Sequence, residues 1–599
     1  MSKPRSKPTY VLGTGLSHDG STCLLRDGEI CVAIEKERIT RKKHDGFGDT
    51  ETILYCLEAE GITFDDVDLV VQNANFCNLD RGNKYFQGVP RIIPDSARVM
   101  TISHHLAHAY SVIGTCPFAE MGILVVDGCG SSFDDCLDLA GAKLAVPPPD
   151  SDTNHLLFEK DSYYHYRDGK LSTIYKDFSP WGYFLKAYSM CPATSKHSIG
   201  GLYSAVSQYV FQGMDDPGKL MGLAPYGKLG VYPFEAFELR DGRCFVRYDW
   251  MDGFVQPRRR YEDLKENFQY YADIARWIQS EIERSLLYLV ESRFQMAPAE
   301  NLGYAGGVAL NAVANARILK ESSFTGLYMQ PAAADNGVAL GCAFYGWLEV
   351  LKGERRRHSG STLFGRVYSG GESLKALQAS SDRFDYSKED DVAEVAARLL
   401  AEGKVVGWFE GGSEFGPRAL GHRSILADPR NPAIRDFINQ KVKFREDFRP
   451  FAPAVVREEC GRFFEGVDES PYMILIGQTR PEWRGEIPAV VHQDGSARVQ
   501  TVTSEMTPGF YQVLRHFERF SGIPVLLNTS FNRRGMPIVE TPEQAVALFL
   551  ESALDALVLD GYVAVKRAVE EAPAVSANRA ERGPWAKRLG NLPVTDLEV

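Results

Sequence analysis

The chain opens with two apolar runs separated by a glycine turn. Apolar positions dominate residues 10–25 and 29–35, and Arg26-Asp27-Gly28 stands between them. Two apolar runs joined by Asp-Gly predict a β-hairpin. The same order returns at residues 122–128, where an apolar run ends in Asp127-Gly128. We therefore predict a duplicated α/β unit with two corresponding hairpins, whose glycine-rich turns let the backbone approach a phosphate.

Two further patterns lie in the middle of the chain. Residues 271–295 carry the apolar spacing of a helix. A strand-like run from Asn301 then enters Gly306-Gly307 and an alanine-rich stretch that contains Asn311. This order lets the backbone approach a flat ligand and offers a helix N-terminus to it. Close packing of a helix on a strand is the alternative explanation for the small residues.

The length of 599 residues predicts more than one hydrophobic core. Residues 353–362 are charged, contain glycine and serine, and lack periodicity, and apolar patterning restarts after them. We predict a first domain at 1–355, a linker at 356–365 and a second domain at 366–570. The Ala-, Arg- and Pro-rich residues 571–599 are expected to form a loose surface tail.

Bulk composition excludes several classes of protein. The net charge of −12 argues against a general nucleic-acid binder. No apolar run approaches the roughly 18–20 residues of a membrane span, and the basic N-terminus lacks an apolar signal core. The 11 cysteines are scattered without a CxxC pair, which is typical of reduced thiols. The composition predicts a cytoplasmic protein without a nucleic-acid or membrane partner, and it leaves the oligomeric state open.

The run 103–110 contains a histidine pair with the spacing of metal ligands. His104 and His108 are four residues apart, so a helix places both imidazoles on one face. Asp127 ends a strand-like run, and Asp335 precedes a small-residue helical stretch. Two His and one or two Asp suit Fe, Mn or Zn with positions left for a substrate oxygen. A packed or solvated histidine pair is the alternative.

A second cluster of candidate residues is cationic. A strand enters the glycine-rich turn 411–424, which carries Arg418, and several basic residues and a polar strand end follow: Lys443, Arg449, Arg498, Asn528 and Ser530. Arginine offers a planar fork to phosphate oxygens, and lysine adds a point charge. In a chain of net charge −12, this gathering predicts a site for a small polyanion. A solvated face that also holds Glu446 and Asp447 explains only part of it.

Taken together, these strings resemble the O-carbamoyltransferases of antibiotic biosynthesis and nodulation. The resemblance runs in order from about residue 10 to 565 and rests on residues 17–21, 35–45, 104–109, 218–227, 306–311, 415–424, 448–453 and 527–532. It implies an α/β fold in which an N-terminal duplicated actin/hexokinase-like (ASKHA) domain is followed by a C-terminal YrdC-like α/β domain. The first domain would be similar to the tRNA threonylcarbamoyl-transferring protein.

The resemblance also implies a reaction in two stages. The second domain would join carbamoyl phosphate and ATP into carbamoyl-adenylate and pyrophosphate. The first domain would then move the carbamoyl group to a hydroxyl of a small-molecule acceptor, expected to be a natural product, and release AMP. The implied cofactors are Mg²⁺ with ATP and a divalent metal in the first domain, Fe²⁺ as first choice and Mn²⁺ or Zn²⁺ as alternatives.

Site residues are carried over by position in this sequence. The implied metal ligands are His104, His108, Asp127 and Asp335. The implied catalytic residues are His18, which would bind the carbamoyl group or take the acceptor's proton, and Arg418, Lys443 and Arg449. The implied substrate and nucleotide ligands are Asp19, Arg41, Lys43, Lys219, Gly306, Gly307, Asn311, Arg498, Asn528 and Ser530.

Some points depart from the family or stay open. Ser21 and Thr22 stand where family members usually carry alanines after the His-Asp pair. No acceptor-side base can be placed beyond the candidates Asp215 and Asp216. Three other functions compete: an actin-fold sugar kinase, a tRNA threonylcarbamoyl-type transferase and a non-catalytic nucleotide-binding protein. The cationic cluster argues against the kinase, the acidic balance against tRNA, and the co-occurrence of metal and anion strings against a non-catalytic protein.

Overall fold

A computed structural model describes residues 7–74, 79–80, 85–86, 89–146, 157–180, 198–247, 249–254 and 264–567. The predicted tail at 571–599 lies outside these ranges. Within them, none of the helices combines the length and the apolar character that a membrane span requires, and the cysteines form no disulfide. The cytoplasmic location stays a prediction.

The N-terminal part of the chain forms a five-stranded sheet and a small three-stranded one. Its strands are β1 Tyr10–Gly15, β2 Ser21–Arg26, β3 Glu29–Glu35, β4 Val67–Asn73, β5 Leu79–Asp80, β6 Tyr85–Phe86, β7 Val89–Pro90 and β8 Val99–Thr101. Its helices are α1 Lys36–Thr40, α2 Thr50–Glu60 and α3 His104–Thr115.

The next part forms a six-stranded sheet and the separate ribbon β13–β14. Its strands are β9 Met121–Val126, β10 Lys143–Ala145, β11 Leu157–Arg167, β12 Lys170–Pro180, β13 Phe237–Arg240, β14 Arg243–Val246, β15 Asn301–Ala305 and β16 Gly326–Met329. Its helices are α4 Ile199–Phe211, α5 Pro217–Leu223, α6 Phe268–Met296, α7 Ala312–Glu321 and α8 Val338–Tyr345. The helix predicted over residues 271–295 is confirmed as α6.

These two sheets repeat one topology, which confirms the predicted duplication. The first sheet has the order β3-β2-β1-β4-β8, and the second has β12-β11-β9-β15-β16 with β10 added beyond β12. The runs β1-β2-β3 and β9-β11-β12 are antiparallel, and the last two strands of each sheet are added in parallel. The additional strand β10 pairs in parallel with β12. The described chain from β1 to α8 is therefore a duplicated α/β unit, which we call the N-terminal unit.

The two predicted hairpin turns differ. Asp27 and Gly28 have left-handed φ values of 51° and 82° and form the tight turn between β2 and β3. The prediction of a matching turn at Asp127-Gly128 is wrong, because the antiparallel partner of β9 is β11, which begins only at Leu157. The Asp127 carboxylate instead accepts backbone N–H bonds from Gly128 and Gly307, so it fixes the start of the loop that follows β9.

The rest of the described chain, which we call the C-terminal unit, is built on a mixed eight-stranded sheet of order β17-β27-β26-β18-β19-β25-β20-β24. Its strands are β17 Phe384–Lys388, β18 Val406–Phe409, β19 Arg423–Ala427, β20 Ala452–Val456, β21 Phe464–Glu465, β22 Ile476–Thr479, β23 Ser496–Arg498, β24 Gln500–Val502, β25 Val525–Ser530, β26 Ala556–Leu559 and β27 Tyr562–Lys566. Its helices are α9 Gly370–Gln378, α10 Val392–Ala401, α11 Ala433–Phe437, α12 Cys460–Phe463, α13 Pro508–Ser521 and α14 Pro542–Glu551.

The fold class is therefore confirmed as a duplicated α/β unit followed by a second α/β unit. One apolar core runs through both units, and a smaller core lies between the first sheet and α2. The boundaries at 355 and 366 stay predictions. Both candidate clusters lie where loops leave the sheets, which is where α/β folds place their ligands.

Candidate active site

Helix α3 brings the two candidate histidine ligands into the interior. All of its residues from His104 to Thr115 are buried. The helix packs on α8, where a Cβ at Gly341 would lie 1.7 Å from the Ala107 carbonyl oxygen, so only glycine allows this approach. A helix buried on every side must satisfy its polar side chains internally, and His104 and His108 do so with the carboxylates of Asp127 and Asp335.

Four side chains converge on one point and could hold a metal ion. The ligand atoms of His104, His108, Asp127 and Asp335 all lie within 4.8 Å of one another, and all four residues are buried. His104 Nε2 lies 2.9 Å from Asp127 Oδ2 and 3.4 Å from Asp335 Oδ1. His108 Nε2 lies 3.1 Å from His104 Nε2. Two imidazole nitrogens that face each other beside two carboxylates are arranged as ligands of one shared cation rather than as a hydrogen-bonded pair.

The two carboxylates make this cluster attractive to positive charge. Burial alone would lower the pKa of His104, but the carboxylates of Asp335 and Asp127 outweigh it and raise that pKa to about 10. The pKa values of the two aspartates are correspondingly depressed, although burial opposes this. Two ionised carboxylates at a buried point attract positive charge, which a divalent ion supplies.

The neighbouring groups orient the candidate ligands. Asn73, the last residue of β4, has its side-chain oxygen 3.1 Å from His104 Nδ1 and donates to the Ile102 carbonyl at 2.8 Å. A proton on His104 Nδ1 leaves the Nε2 lone pair free for a metal. Asp127 Oδ1 accepts from the backbone of Gly128 at 2.7 Å and Gly307 at 3.1 Å, so Oδ2 faces the histidines.

We predict that Asn73→Ala weakens Mn²⁺ binding by about tenfold, because the His104 tautomer is no longer fixed. The measurement is a titration of metal-depleted full-length protein with Mn²⁺. Asn73→Asp keeps an oxygen acceptor and should retain most of the affinity. Unchanged Mn²⁺ affinity in Asn73→Ala would remove Asn73 from the site.

His18 lies at the rim of the His/Asp cluster formed by His104, His108, Asp127 and Asp335. Its Nδ1 is 3.4 Å from Asp335 Oδ2, and its Nε2 is 3.4 Å from Asp19 Oδ2. Asp19 also contacts His44 Nδ1 at 2.8 Å. Burial lowers the pKa values of His18 and His44, but Asp335 beside His18 and Asp19 beside His44 outweigh it and raise them, and the charge of Asp215 adds a smaller contribution to both. Asp216 instead pairs with Lys219 at 2.8 Å, so the structure favours Asp215 of the two acceptor-side candidates.

The cationic residues gather in one pocket of the C-terminal unit, which we call the cationic pocket. Burial and the neighbouring Arg449 lower the pKa of Arg418 to about 10. Burial likewise lowers the pKa of Arg498, with further repulsion from Arg418, Arg445 and Arg449. Mutual depression of pKa values is the signature of like charges held together. The members of the pocket are Arg418, Lys443, Arg445, Arg449 and Arg498.

Lys443 is bound to Ser530 at the end of β25, and Asn528 of the same strand is bound to Ala419, next to Arg418. The Lys443 ammonium donates to the backbone carbonyl of Ser530 at 2.5 Å, to its hydroxyl at 3.1 Å and to Asn532 Oδ1 at 2.6 Å. Burial lowers the pKa of Lys443, and Arg445, Arg449 and Lys43 lower it further. The exposed Lys43 of the N-terminal unit therefore faces this pocket. The Asn528 amide is buried and donates to the Ala419 carbonyl and to Gln500.

A self-repelling cationic pocket should be stabilised by a polyanion. At a pyrophosphate concentration of about 100 Kd, wild-type protein should gain roughly 2.7 kcal/mol. Arg498→Met removes one charged fork, so pyrophosphate should bind about tenfold more weakly and lose roughly 1.4 kcal/mol of that gain. Differential scanning fluorimetry with and without pyrophosphate measures the difference. Arg430→Met is the matched control, because Arg430 pairs with Asp428 at 2.6 Å, and equal loss in both variants would contradict the assignment.

Several sequence-predicted ligands have other partners in the structure. Arg41 donates to the carbonyls of Ile538 at 2.6 Å and Pro537 at 2.8 Å, so its fork joins the two units. Lys219 lies 3.3 Å from Glu446 of the C-terminal unit as well as beside Asp216.

The segment that holds the implied nucleotide ligands Gly306, Gly307 and Asn311 is engaged within the N-terminal unit. A Cβ at Gly306 would lie 2.2 Å from the Val126 carbonyl oxygen. Asn311 caps α7 by accepting from Ala314 N, and its amide exchanges hydrogen bonds with Gln279. These contacts fit the close helix–strand packing that was the alternative explanation, and a nucleotide role for this loop stays a prediction.

Sequence reasoning missed residues that act through their neighbours. Asn73 could have been suspected as an amide that ends a buried apolar strand. Glu35 and Arg38 are buried at the contact between the two units. They lie in the string 35–45, but no role could be assigned to them, since their partners lie more than 370 residues away.

Comparison with known proteins places this geometry in context. A family model described as "Carbamoyltransferase N-terminus" matches residues 11–85 and 87–344, and one described as "Carbamoyltransferase C-terminus" matches residues 397–566. The nodulation protein NolNO of Sinorhizobium fredii is 33% identical, over 92% of this chain and 79% of that protein. An uncharacterized protein of Synechocystis sp. is 32% identical, over 94% of this chain and 97% of that protein. Among solved structures, full-length HypF in its phosphate- and nucleotide-bound form shows a distant likeness, with TM-score 0.34 and 12% identity over 57% and 56% of the two chains.

Proposed function

The chain belongs to the carbamoyltransferase family, and we propose that it forms carbamoyl-adenylate and transfers the carbamoyl group to a hydroxyl of a small-molecule acceptor. The observation that carries the proposal is the pairing of two unlike centres: a pocket of mutually repelling cations, and a buried His/Asp cluster next to His18. The first suits a polyanionic substrate, and the second suits an electrophilic carbonyl.

The first stage is proposed for the cationic pocket. Carbamoyl phosphate and ATP are both polyanions, so their approach requires compensating charge. Arg418, Arg449, Arg498 and Lys443 supply it, with Ser530 and Asn528 of β25 close by. Water releases carbamate and orthophosphate from carbamoyl phosphate. A carbamate oxygen then attacks the α-phosphorus of ATP, which forms carbamoyl-adenylate and expels pyrophosphate.

The second stage is proposed for the N-terminal unit. The acceptor oxygen attacks the carbamoyl carbon, the bond to AMP breaks, and AMP leaves with that bonding pair. His18 is proposed to hold the carbamoyl group or to take the acceptor's proton, with Asp215 as the other candidate base. When bound by His104, His108, Asp127 and Asp335, a divalent metal supplies Lewis acidity to such a site; we propose Fe²⁺, with Mn²⁺ or Zn²⁺ as alternatives, and Mg²⁺ with ATP.

The acceptor is proposed only as a class. Relatives include proteins named for nodulation, and a hydroxyl-bearing natural product remains the proposed acceptor class. The division into an N-terminal transfer domain at 1–355 and a YrdC-like domain at 366–570 is proposed with it, because the cationic pocket and the His/Asp cluster lie on opposite sides of that boundary.

Incubation of the full-length protein with Mg²⁺, ATP and carbamoyl phosphate, without acceptor, tests the first stage. We expect pyrophosphate together with carbamoyl-adenylate, identified by mass spectrometry. ADP in the presence of sugars, without pyrophosphate, would favour the actin-fold kinase. Binding of tRNA at physiological salt would favour the threonylcarbamoyl-type transferase.

A further inference from the structure

The loop that carries Arg418 is tied to the N-terminal unit through the backbone of one residue. The N–H of Gly416 donates to Glu35 Oε1 at 2.6 Å, and its carbonyl oxygen accepts from Arg38 Nη2 at 2.7 Å. Gly416 has a left-handed φ of 116°, and a Cβ there would lie 3.3 Å from the Pro331 carbonyl oxygen. Glycine therefore lets the Arg418 loop touch the segment that leads to Asp335.

The Glu35 carboxylate also contacts the loop that carries Asp335. Asn336 follows Asp335 in the short 3₁₀ turn Asp335–Gly337. The Asn336 side-chain amide donates to Glu35 Oε1 at 3.3 Å, and the Asn336 backbone carbonyl accepts from Ser21 Oγ at 2.8 Å. One oxygen atom of Glu35 thus accepts from the loop of the cationic pocket and from the loop of the His/Asp cluster.

The Glu35–Arg38 pair is poorly suited to a purely stabilising role. The two residues are 4% and 1% exposed and lie 3.6 Å apart. Burial raises the pKa of Glu35 to about 7 against the attraction of Arg38. Glu35 Oε2 and Arg38 Nε and Nη1 have no hydrogen-bond partner in the part of the chain that the structure describes. A buried pair with unmet atoms contributes little net stability, so its geometric effect on the two loops is the more informative property.

We propose that Glu35, assisted by Arg38, is a positioning residue that holds the Arg418 loop and the Asp335 loop in register across the two units. This inference rests on the proposed function, in which one centre forms carbamoyl-adenylate and the other consumes it. Glu35 would keep these two centres next to each other. A short enclosed path protects a mixed anhydride from water. Glu35 touches neither substrate nor metal in this assignment and acts only through Gly416 and Asn336.

The test compares full-length wild type with Glu35→Ala, Glu35→Gln and the control Asp161→Asn, which breaks the buried pair of Asp161 with Arg293 at 2.5 Å. Glu35→Ala should weaken Mn²⁺ binding by about tenfold although Glu35 is not a ligand. It should also raise hydrogen exchange in both residues 331–337 and 414–420, and release severalfold more free carbamoyl-adenylate per pyrophosphate formed. Glu35→Gln keeps the oxygen acceptor and should restore all three readouts toward wild type.

Two results would overturn the proposal. One is a Glu35→Ala protein whose Mn²⁺ affinity stays within twofold of wild type while exchange rises only at residues 414–420. The other is the same full pattern in Asp161→Asn, which would show a general loss of stability. Failure of wild type to form pyrophosphate would refute the proposed function instead, and Mn²⁺ titration and hydrogen exchange would still decide the coupling of the loops.

Discussion

Arg418→Ala should lower the rate of pyrophosphate formation from ATP and carbamoyl phosphate by about 10³-fold. Arg418 is held among like charges, and burial together with Arg449 lowers its pKa to about 10. A guanidinium kept in that unfavourable place has no acidic partner in the described hydrogen bonds and ion pairs, so an anionic ligand is its natural counter-charge. The measurement is the initial rate of pyrophosphate release at saturating ATP.

Two variants separate charge from geometry in that experiment. Arg418→Lys keeps the charge but loses the planar fork, so we expect a rate between those of wild type and Arg418→Ala. Arg430→Ala, in the same unit but paired with Asp428, should leave the rate unchanged. A normal rate of pyrophosphate release in Arg418→Ala would exclude Arg418 from the first stage.

His108→Ala should separate the two stages of the reaction. His108 is fully buried in α3 with Nε2 directed at His104 Nε2 and 3.5 Å from Asp127. Loss of one of four converging ligands should cut the bound metal severely and abolish acceptor-dependent AMP release, while pyrophosphate formation in the other unit stays within a few-fold of wild type. Elemental analysis of the purified protein and the two product assays measure these effects.

His105 provides a matched control on the same helix. It is equally buried, but its Nδ1 lies 2.8 Å from Ser162 Oγ on the other side of α3. His105→Ala creates a comparable cavity and should keep its metal. A His108→Ala protein with full metal content, or a His105→Ala protein that loses as much metal, would contradict the ligand assignment.

The fold could be predicted in outline and less well in its turns. The Asp-Gly turn at Asp27-Gly28 was predicted correctly because a turn is decided by local backbone preference. The matching turn predicted at Asp127-Gly128 is wrong, because the antiparallel partner of β9 begins only at Leu157 and the Asp127 carboxylate accepts from the backbone of Gly128 and Gly307. The predicted duplication is confirmed, because the two sheets share one strand order. Apolar runs that recur in the same order along the chain indicate such a repeat.

The residue types and spacings of both candidate clusters could be predicted from the sequence alone. Helical periodicity placed His104 and His108 on one face, and the glycine-rich turn placed Arg418 among phosphate-binding residue types, because both depend on spacings of a few residues. Which groups meet depends on the tertiary structure. Two loops of the second sheet bring Asp127 and Asp335 to those histidines. Arg41 and Lys219 contact the other unit, and Glu35 lies between Gly416 and Asn336. Such contacts join residues hundreds of positions apart, and packing of whole sheets and helices, which no local spacing encodes, selects them.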